Sequence, residues 1–282
     1  MPNVLAFLSS VGWGCSDFLG GFASKRLPAW VVAAVSQTAG FLGLALALLV
    51  VDSRPNGRDW ALGVLAALLA VVGITFLYRA LAAGPMNVAA PTAAVVGSGT
   101  AVIAGIAFGE RPGMLAVLGI AAAVVAILAV SKTPDAATDD REPGHVRRTL
   151  VTAAIAGVTL GGANVCFSRT SIESGISVVV IERAIAAAIL AVPAWRVRPP
   201  RRDLPRADLG FAVGAGLLDA AAATSLLLAL QRGGLVLGGM LSGLFPVVTV
   251  VLARVVLGER MGRPQLVGLA FGVAAVALLG LA

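Results

Sequence analysis

The residues able to do chemistry in this chain are few, and they stand in unusual places. Asp17, Glu182, Arg183 and Asp219 all fall inside long apolar segments, where a charge at the bilayer centre costs about 2.5–3.5 kcal/mol on insertion scales. Such groups persist where they meet a partner or a watery cavity, and a carboxylate so placed can take up a proton or pair with a cation. Asp219 has Ala215 and Ala223 as same-face helical neighbours and no basic residue three or four positions away. It therefore needs water or a partner from another helix. The spacing favours a cavity carboxylate that binds a proton or a cationic substrate, with an ion pair to Arg183 as the alternative. Asp17 follows Trp13 by four positions and Ser10 by seven, so the three share a face that can line a central pathway; the alternative places Asp17 in the interface near Lys25 and Arg26. Asn164, with Gly161 and Ser168, makes a parallel polar face on a later segment, suited to cavity lining or to gluing helices together.

Other polar residues read more plainly. Glu182 and Arg183 are adjacent, so their backbone directions diverge by about 100°; one is expected to face the bundle and the other the headgroups. Tyr78 and Arg79 form an aromatic-basic pair of the kind that marks the interfacial belt, and Tyr78 is also a cavity candidate. Pro246, with Gly243 and Gly239 ahead of it, frees a carbonyl one turn earlier and permits a kink. Pro246 and its neighbour Ser242 complete the cavity candidates. Cys15, Cys166 and His145 offer neither a disulfide framework nor a metal-ligand cluster, and no cofactor is expected. Neither Lys25 nor Lys132 belongs to a phosphate-binding glycine loop, so ATP is not a direct driver. The acidic pair Asp139-Asp140 lacks a matching second cluster, which argues against an enzyme acting on lipid.

The elements that must position these residues are helices. Of the 282 residues, 59% are hydrophobic and only 12% charged, about half the charged share of a water-soluble domain. Segments such as Gly119–Leu128 are apolar on every side, which excludes the alternating pattern of a membrane β-barrel. Charge, proline and glycine divide the chain into ten candidate spans, at 4–22, 30–51, 60–82, 87–108, 114–131, 149–168, 176–195, 208–230, 235–257 and 264–281. The first has no basic stretch ahead of it and stays apolar past Cys15, so it reads as a retained helix and not a cleaved signal. A polar linker at 132–148 separates two halves of five spans, 1–131 and 149–282.

The halves are copies. Gly109-Glu110-Arg111 recurs as Gly258-Glu259-Arg260, an offset of 259 − 110 = 149. The same shift lays Ala80-Leu81 and Gly84 on Ala229-Leu230 and Gly233, Gly119 on Gly268, Gly12 on Gly161 and Phe18 on Phe167. With five spans in each copy, the second must start on the membrane face where the first ended, so the repeats are expected to lie inverted, an arrangement of secondary transporters. Glu110 and Glu259 are read as structural, each satisfying amides at the start of the following helix. Small-residue pairs four apart, at Gly105/Gly109, Gly157/Gly161, Gly210/Gly214, Gly239/Gly243 and Gly268/Gly272, are expected to let helices approach closely.

The chain resembles the drug/metabolite transporter superfamily, in particular its EamA type. The features that carry the likeness are Gly12-Trp13-Gly14 near Phe18, Tyr78-Arg79-Ala80-Leu81 closing the third span, and the two Gly-Glu corners after the fourth and ninth. Gly97 stands where the family's first mid-helix proline is usual, and Gly162 where a second tryptophan would be. The resemblance implies an all-α integral membrane carrier of ten transmembrane helices in two inverted five-helix repeats. It also favours Arg183, because a basic residue is common at that place. The expected activity is secondary active transport, as an exporter of small metabolites such as amino acids, with Asp17 and Asp219 as proton-binding candidates. Alternatives are a multidrug exporter, a channel-like facilitator and an integral-membrane lipid enzyme. The expected partners are a small-molecule substrate, the bilayer of the inner cell membrane and protons, with no nucleic acid.

Orientation gives two answers. The face carrying the termini holds five basic residues and the opposite face thirteen, so the positive-inside rule puts the termini outside. The resemblance implies cytoplasmic termini.

Overall fold

In lipid, a chain rich in Ala, Val and Leu must satisfy its own backbone, and helices do so within one segment. The structure, a computed structural model, describes residues 1–24, 26–83, 86–130, 143–196, 205–257 and 262–282. Among these, eleven α-helices follow in order: α1 (Pro2–Ser24), α2 (Ala29–Ala47), α3 (Gly57–Ala83), α4 (Met86–Ala107), α5 (Met114–Val130), α6 (Pro143–Ser168), α7 (Ser177–Arg196), α8 (Arg206–Arg232), α9 (Leu235–Ser242), α10 (Phe245–Leu257) and α11 (Arg263–Leu281). Six segments are long and apolar enough to cross a membrane, and two shorter ones, in α4 and α5, are apolar. The ten expected spans are all present as helix. The ninth is broken into α9 and α10, because Pro246 has no N–H for the Ser242 carbonyl and its ring crowds that turn. The α6 helix starts at Pro143, six residues before the span read from hydropathy, since its first turn and a half is polar.

Helices of one half pack on helices of the other. In the first half α1 lies against α8, and α3 and α4 lie against α6; α2 contacts both α7 and α8, α4 meets α9, and α5 pairs with α11. One buried cluster joins Ala66, Phe167, Val178, Leu226 and Leu227, and a second joins Ile127, Met240, Leu241 and Leu279. Large apolar residues such as Leu46, Ile103, Val158 and Val273 are exposed on the outside, the surface a bilayer would cover.

The 149-residue repeat has a structural counterpart in Asp59 and Asp208, which open the third helix of each half and are both 1% exposed. Asp59 accepts from the Asn56 amide at 3.0 Å, the Ser171 amide at 2.8 Å and the Ser171 hydroxyl at 2.6 Å, tying α3 to the end of α6. Asp208 ties α8 to the end of α1 more loosely, with Arg26 Nη1 3.9 Å from its Oδ2.

The small-residue pairs are not alike. A Cβ at Gly157 or Gly161 would press on the α4 backbone, and one at Gly216 would collide with the Ser36 carbonyl oxygen on α2. By contrast, a Cβ at Gly210 would meet nothing within 4 Å and one at Gly214 only the Leu19 side chain at 3.4 Å, so that pair brings no helix close. Gly109 serves a turn instead: with φ +97° it reverses the chain after α4, a conformation in which a Cβ is penalised.

Candidate functional site

The ionisable residues of the membrane interior gather at one place. Asp219 stands midway along the 27-residue α8 and is met from three other helices. From α1, Trp13 Nε1–H donates to Asp219 Oδ1 at 2.9 Å. From α2, Gln37 Nε2–H donates to Oδ2 at 3.3 Å. From α7, Arg183 Nη1 lies 2.7 Å from Oδ2. Arg183 also donates to Gln37 Oε1 at 2.8 Å, so the amide is clamped at both ends and its orientation follows from its partners. Two of these helices belong to the first half and two to the second, and the cluster thus spans the interface between halves.

The contacts of Arg183 correct one expectation.

 Glu182 and Arg183 do not part toward bundle and headgroups: both are buried, at 3% and 6% exposure, and Arg183 Nε lies 3.1 Å from Glu182 Oε2. The 100° between their backbone directions fixes only where each Cβ starts, and both side chains are long enough to curl together. The contact is ionic without hydrogen-bond alignment, and neither atom has a hydrogen-bond partner among the described residues. Arg183 thus touches two carboxylates, and the Asp219 contact matches the ion-pair alternative.

Asp17 completes the group from α1, one turn beyond Trp13. Its side chain is exposed, it has no hydrogen-bond or ion-pair partner among the described residues, and it is close enough to Asp219 for their charges to repel. Two carboxylates therefore share one guanidinium, and the third, Asp17, stands beside them uncompensated. Asp219 itself keeps 21% of its side chain exposed against 7% for Arg183, so the cluster has an open side toward Asp17 and a closed one toward α7. An arrangement of this kind can accept a proton or a cation at the exposed Asp17 without moving the Arg183–Asp219 ion pair.

The other candidates are placed differently. Asn164 is half-buried with no hydrogen bond to the described residues. Ser242 is 2% exposed and its hydroxyl donates to the Gly239 carbonyl at 3.1 Å, so it lines no open space in this conformation. Pro246 is half-buried at the break between α9 and α10, and the neighbouring Phe245 meets the Trp13 ring edge-on with centroids 6.4 Å apart. The side chain of Tyr78 and the whole of Glu259 lie outside the described residues. Glu110 caps a helix, but not the next one: its carboxylate accepts from the amides of Leu235 and Val236 at 2.6 and 2.9 Å, at the start of α9 in the other half. Gln37 was not singled out by sequence reasoning. Its signal was the polar run Ser36-Gln37-Thr38 in the middle of an apolar span.

With this geometry in view, the comparisons are consistent with one another. The profile of the EamA-like transporter family matches residues 1–132 and again 147–281. No match is found among curated proteins. A solved structure titled only as a crystal structure of a protein superposes with a TM-score of 0.81 at 20% identity, covering 99% of this chain and 96% of its own; at that identity it shows the fold alone.

Proposed function

Since this chain belongs to the EamA-like transporter family, and is a multi-pass membrane protein of transporter type, we propose that it is a secondary active carrier of the inner cell membrane. It exports small polar metabolites, amino acids foremost, by alternating access between two inverted repeats at 1–131 and 149–282, joined by a linker at 132–148. Inversion is supported by the exchange of packing partners, α1 on α8 and α3 on α6, and by the five spans in each half. Trp13, Asp17, Asn164, Arg183 and Asp219 are the proposed cavity residues, with Asp17 and Asp219 as the proton-binding pair; Tyr78, Ser242 and Pro246 are secondary candidates.

The observation that carries this reading is Asp219, a carboxylate midway along its helix that receives Trp13 and Gln37 from the first half and Arg183 from the second. Buried charge at a repeat interface is where secondary transporters hold substrate and coupling ion. Protonating Asp219, or placing a substrate ammonium on it, would weaken its hold on Arg183 and Trp13 and so alter contacts on four helices at once.

The test is flux of radiolabelled amino acids into proteoliposomes with and without an imposed pH gradient. Wild type is expected to accumulate substrate only with the gradient, and Asp17→Asn and Asp219→Asn to lose that accumulation. Gradient-driven uptake that survives intact in both variants refutes proton coupling at these residues; equilibration without accumulation in the wild type supports the facilitator alternative.

A further inference from the structure

The Gly-Glu corner after α4 does more than end a helix. Gly109, at φ +97°, lets the Glu110 amide reach back to the Gly105 carbonyl at 2.9 Å and the Gly109 amide to Ile106 at 2.9 Å, a helix stop that fixes the direction of the next side chain. That side chain crosses to the other half and holds both amides at the start of α9. Gly105 and Gly234 leave it room: a Cβ at Gly105 would stand 2.7 Å from Val236 and 3.1 Å from the Glu110 carboxylate, and one at Gly234 2.8 Å from that carboxylate.

What the carboxylate holds is a short helix that ends at a break. The α9 helix is eight residues long and sits among α1, α4, α6 and α8, filling the half of that space nearest the termini. At its far end the hydrogen-bond ladder changes to short-range contacts, Leu244 to Leu241 and Val247 to Leu244, and Pro246 supplies no donor. The residues it packs with are small, with Gly239 facing Ala101 and Gly243 facing Ser98. Phe245, at the break, touches the Trp13 ring, whose N–H is held by Asp219. A continuous set of contacts thus runs from the charged cluster through Trp13 and Phe245 to the break, and along α9 to Glu110.

We propose that α9 is the gate on the face carrying the termini, that it swings about the Gly243–Pro246 break, and that Glu110 is the latch that holds it shut. On this proposal the gate is closed in the conformation described here, and the exposed Asp17 is open to the opposite face. Release of Trp13 from Asp219 loosens Phe245 and the break, and opening requires Glu110 to give up its two amides. The inference rests on the alternating-access reading above.

The experiment labels a single thiol, Asp17→Cys, in proteoliposomes with Cys15→Ser and Cys166→Ser, using a membrane-impermeant maleimide applied from either face. A disulfide between Glu110→Cys and Gly234→Cys, formed before labelling, is expected to abolish labelling of the peptide carrying position 17 from the termini face, leave its labelling from the other face, and be reversed by reductant in the same sample, each peptide being read separately by mass spectrometry. Glu110→Gln, which keeps the shape and loses the charge-assisted bonds, is expected to raise labelling from the termini face about tenfold. The reductant step and the isosteric variant guard against misfolding being read as closure. Labelling from both faces that ignores the disulfide overturns the latch while leaving alternating access intact. Labelling from one face only, in every variant, overturns both.

Discussion

Arg183 Nη1 lies 2.7 Å from Asp219 Oδ2, and the same guanidinium lies 3.1 Å from Glu182 Oε2 through its Nε. One cation therefore compensates two carboxylates, Glu182 buried and Asp219 half-buried, and removing it strands both. Arg183→Leu is expected to destabilise the protein by about 3–5 kcal/mol, the cost of breaking a buried pair from one side, read as a lower thermal-unfolding midpoint in detergent. Arg183→Leu combined with Asp219→Leu should recover part of the loss. A single variant that melts like the wild type would contradict the pairing.

Asp17 belongs to the same cluster but to a different class of stability effect. Exposed and without a hydrogen-bond or ion-pair partner among the described residues, it contributes no polar contact to the fold, and Asp17→Asn also relieves its repulsion with Asp219. Its unfolding free energy is expected to match the wild type within about 0.5 kcal/mol, whereas that of Asp219→Asn, which loses the full charge opposite Arg183, falls below it. That contrast lets a flux defect in Asp17→Asn be assigned to the site and not to misfolding.

Gln37 is expected to be as specific as the charges it joins. Gln37→Leu leaves one acceptor and one donor short at buried groups and should cost about 1–3 kcal/mol. Gln37→Glu keeps the acceptor for Arg183 but turns an oxygen toward Asp219 in place of a donor, so it should be no more stable than the leucine variant. A glutamate variant as stable as the wild type would mean that the amide's contact with Asp219, the longest in the cluster at 3.3 Å, contributes nothing.

The orientation of the protein is open to a direct measurement. Ten spans put both termini on one face, and in the sequence thirteen of the basic residues between spans fall on the other. The charge rule then predicts external termini. A phosphatase reporter fused after Ala282 is expected to be active and a fluorescent reporter dark; the reverse pair of results favours the family orientation.

Much of this architecture was legible because hydropathy acts along the chain. Each span shows itself by length alone, and the 149-residue offset shows itself by the Gly-Glu-Arg corner. The break between α9 and α10 was only half legible: Pro246 announces it, but Gly243, Leu244 and Phe245 are as apolar as the helices on either side. At the site, Trp13, Asp17, Arg183 and Asp219 stood out because a charge or an indole in an apolar span is costly or rare. Their convergence was not legible, since it depends on which helices of the two halves touch. The same lack explains why Glu110 was matched to the wrong helix: a carboxylate's reach to an amide follows from the sequence, whereas the identity of the nearest free helix start is tertiary. Gln37 was passed over because one amide in an apolar span reads as helix glue until its two charged partners are placed beside it.

The glycines offer a test of the packing that depends on no functional reading. Gly216 and Gly210 lie on the same helix and look equivalent in sequence, each small and each in an apolar neighbourhood. In the fold they differ: a Cβ at Gly216 collides with the carbonyl oxygen of Ser36, a backbone atom of α2 that cannot yield without shifting the helix carrying Gln37. A Cβ at Gly210 meets open space. Alanine is a better helix former than glycine by roughly 0.5–1 kcal/mol, so Gly210→Ala should be neutral or slightly stabilising. Gly216→Ala must push α2 from α8, and overpacking of this kind costs about 1–3 kcal/mol. Because the displaced helix carries Gln37, Gly216→Ala should also lengthen the Gln37–Asp219 contact and blunt the effect of a second substitution at Gln37. Equal unfolding midpoints for Gly210→Ala and Gly216→Ala would show that α2 and α8 are not packed as closely as described.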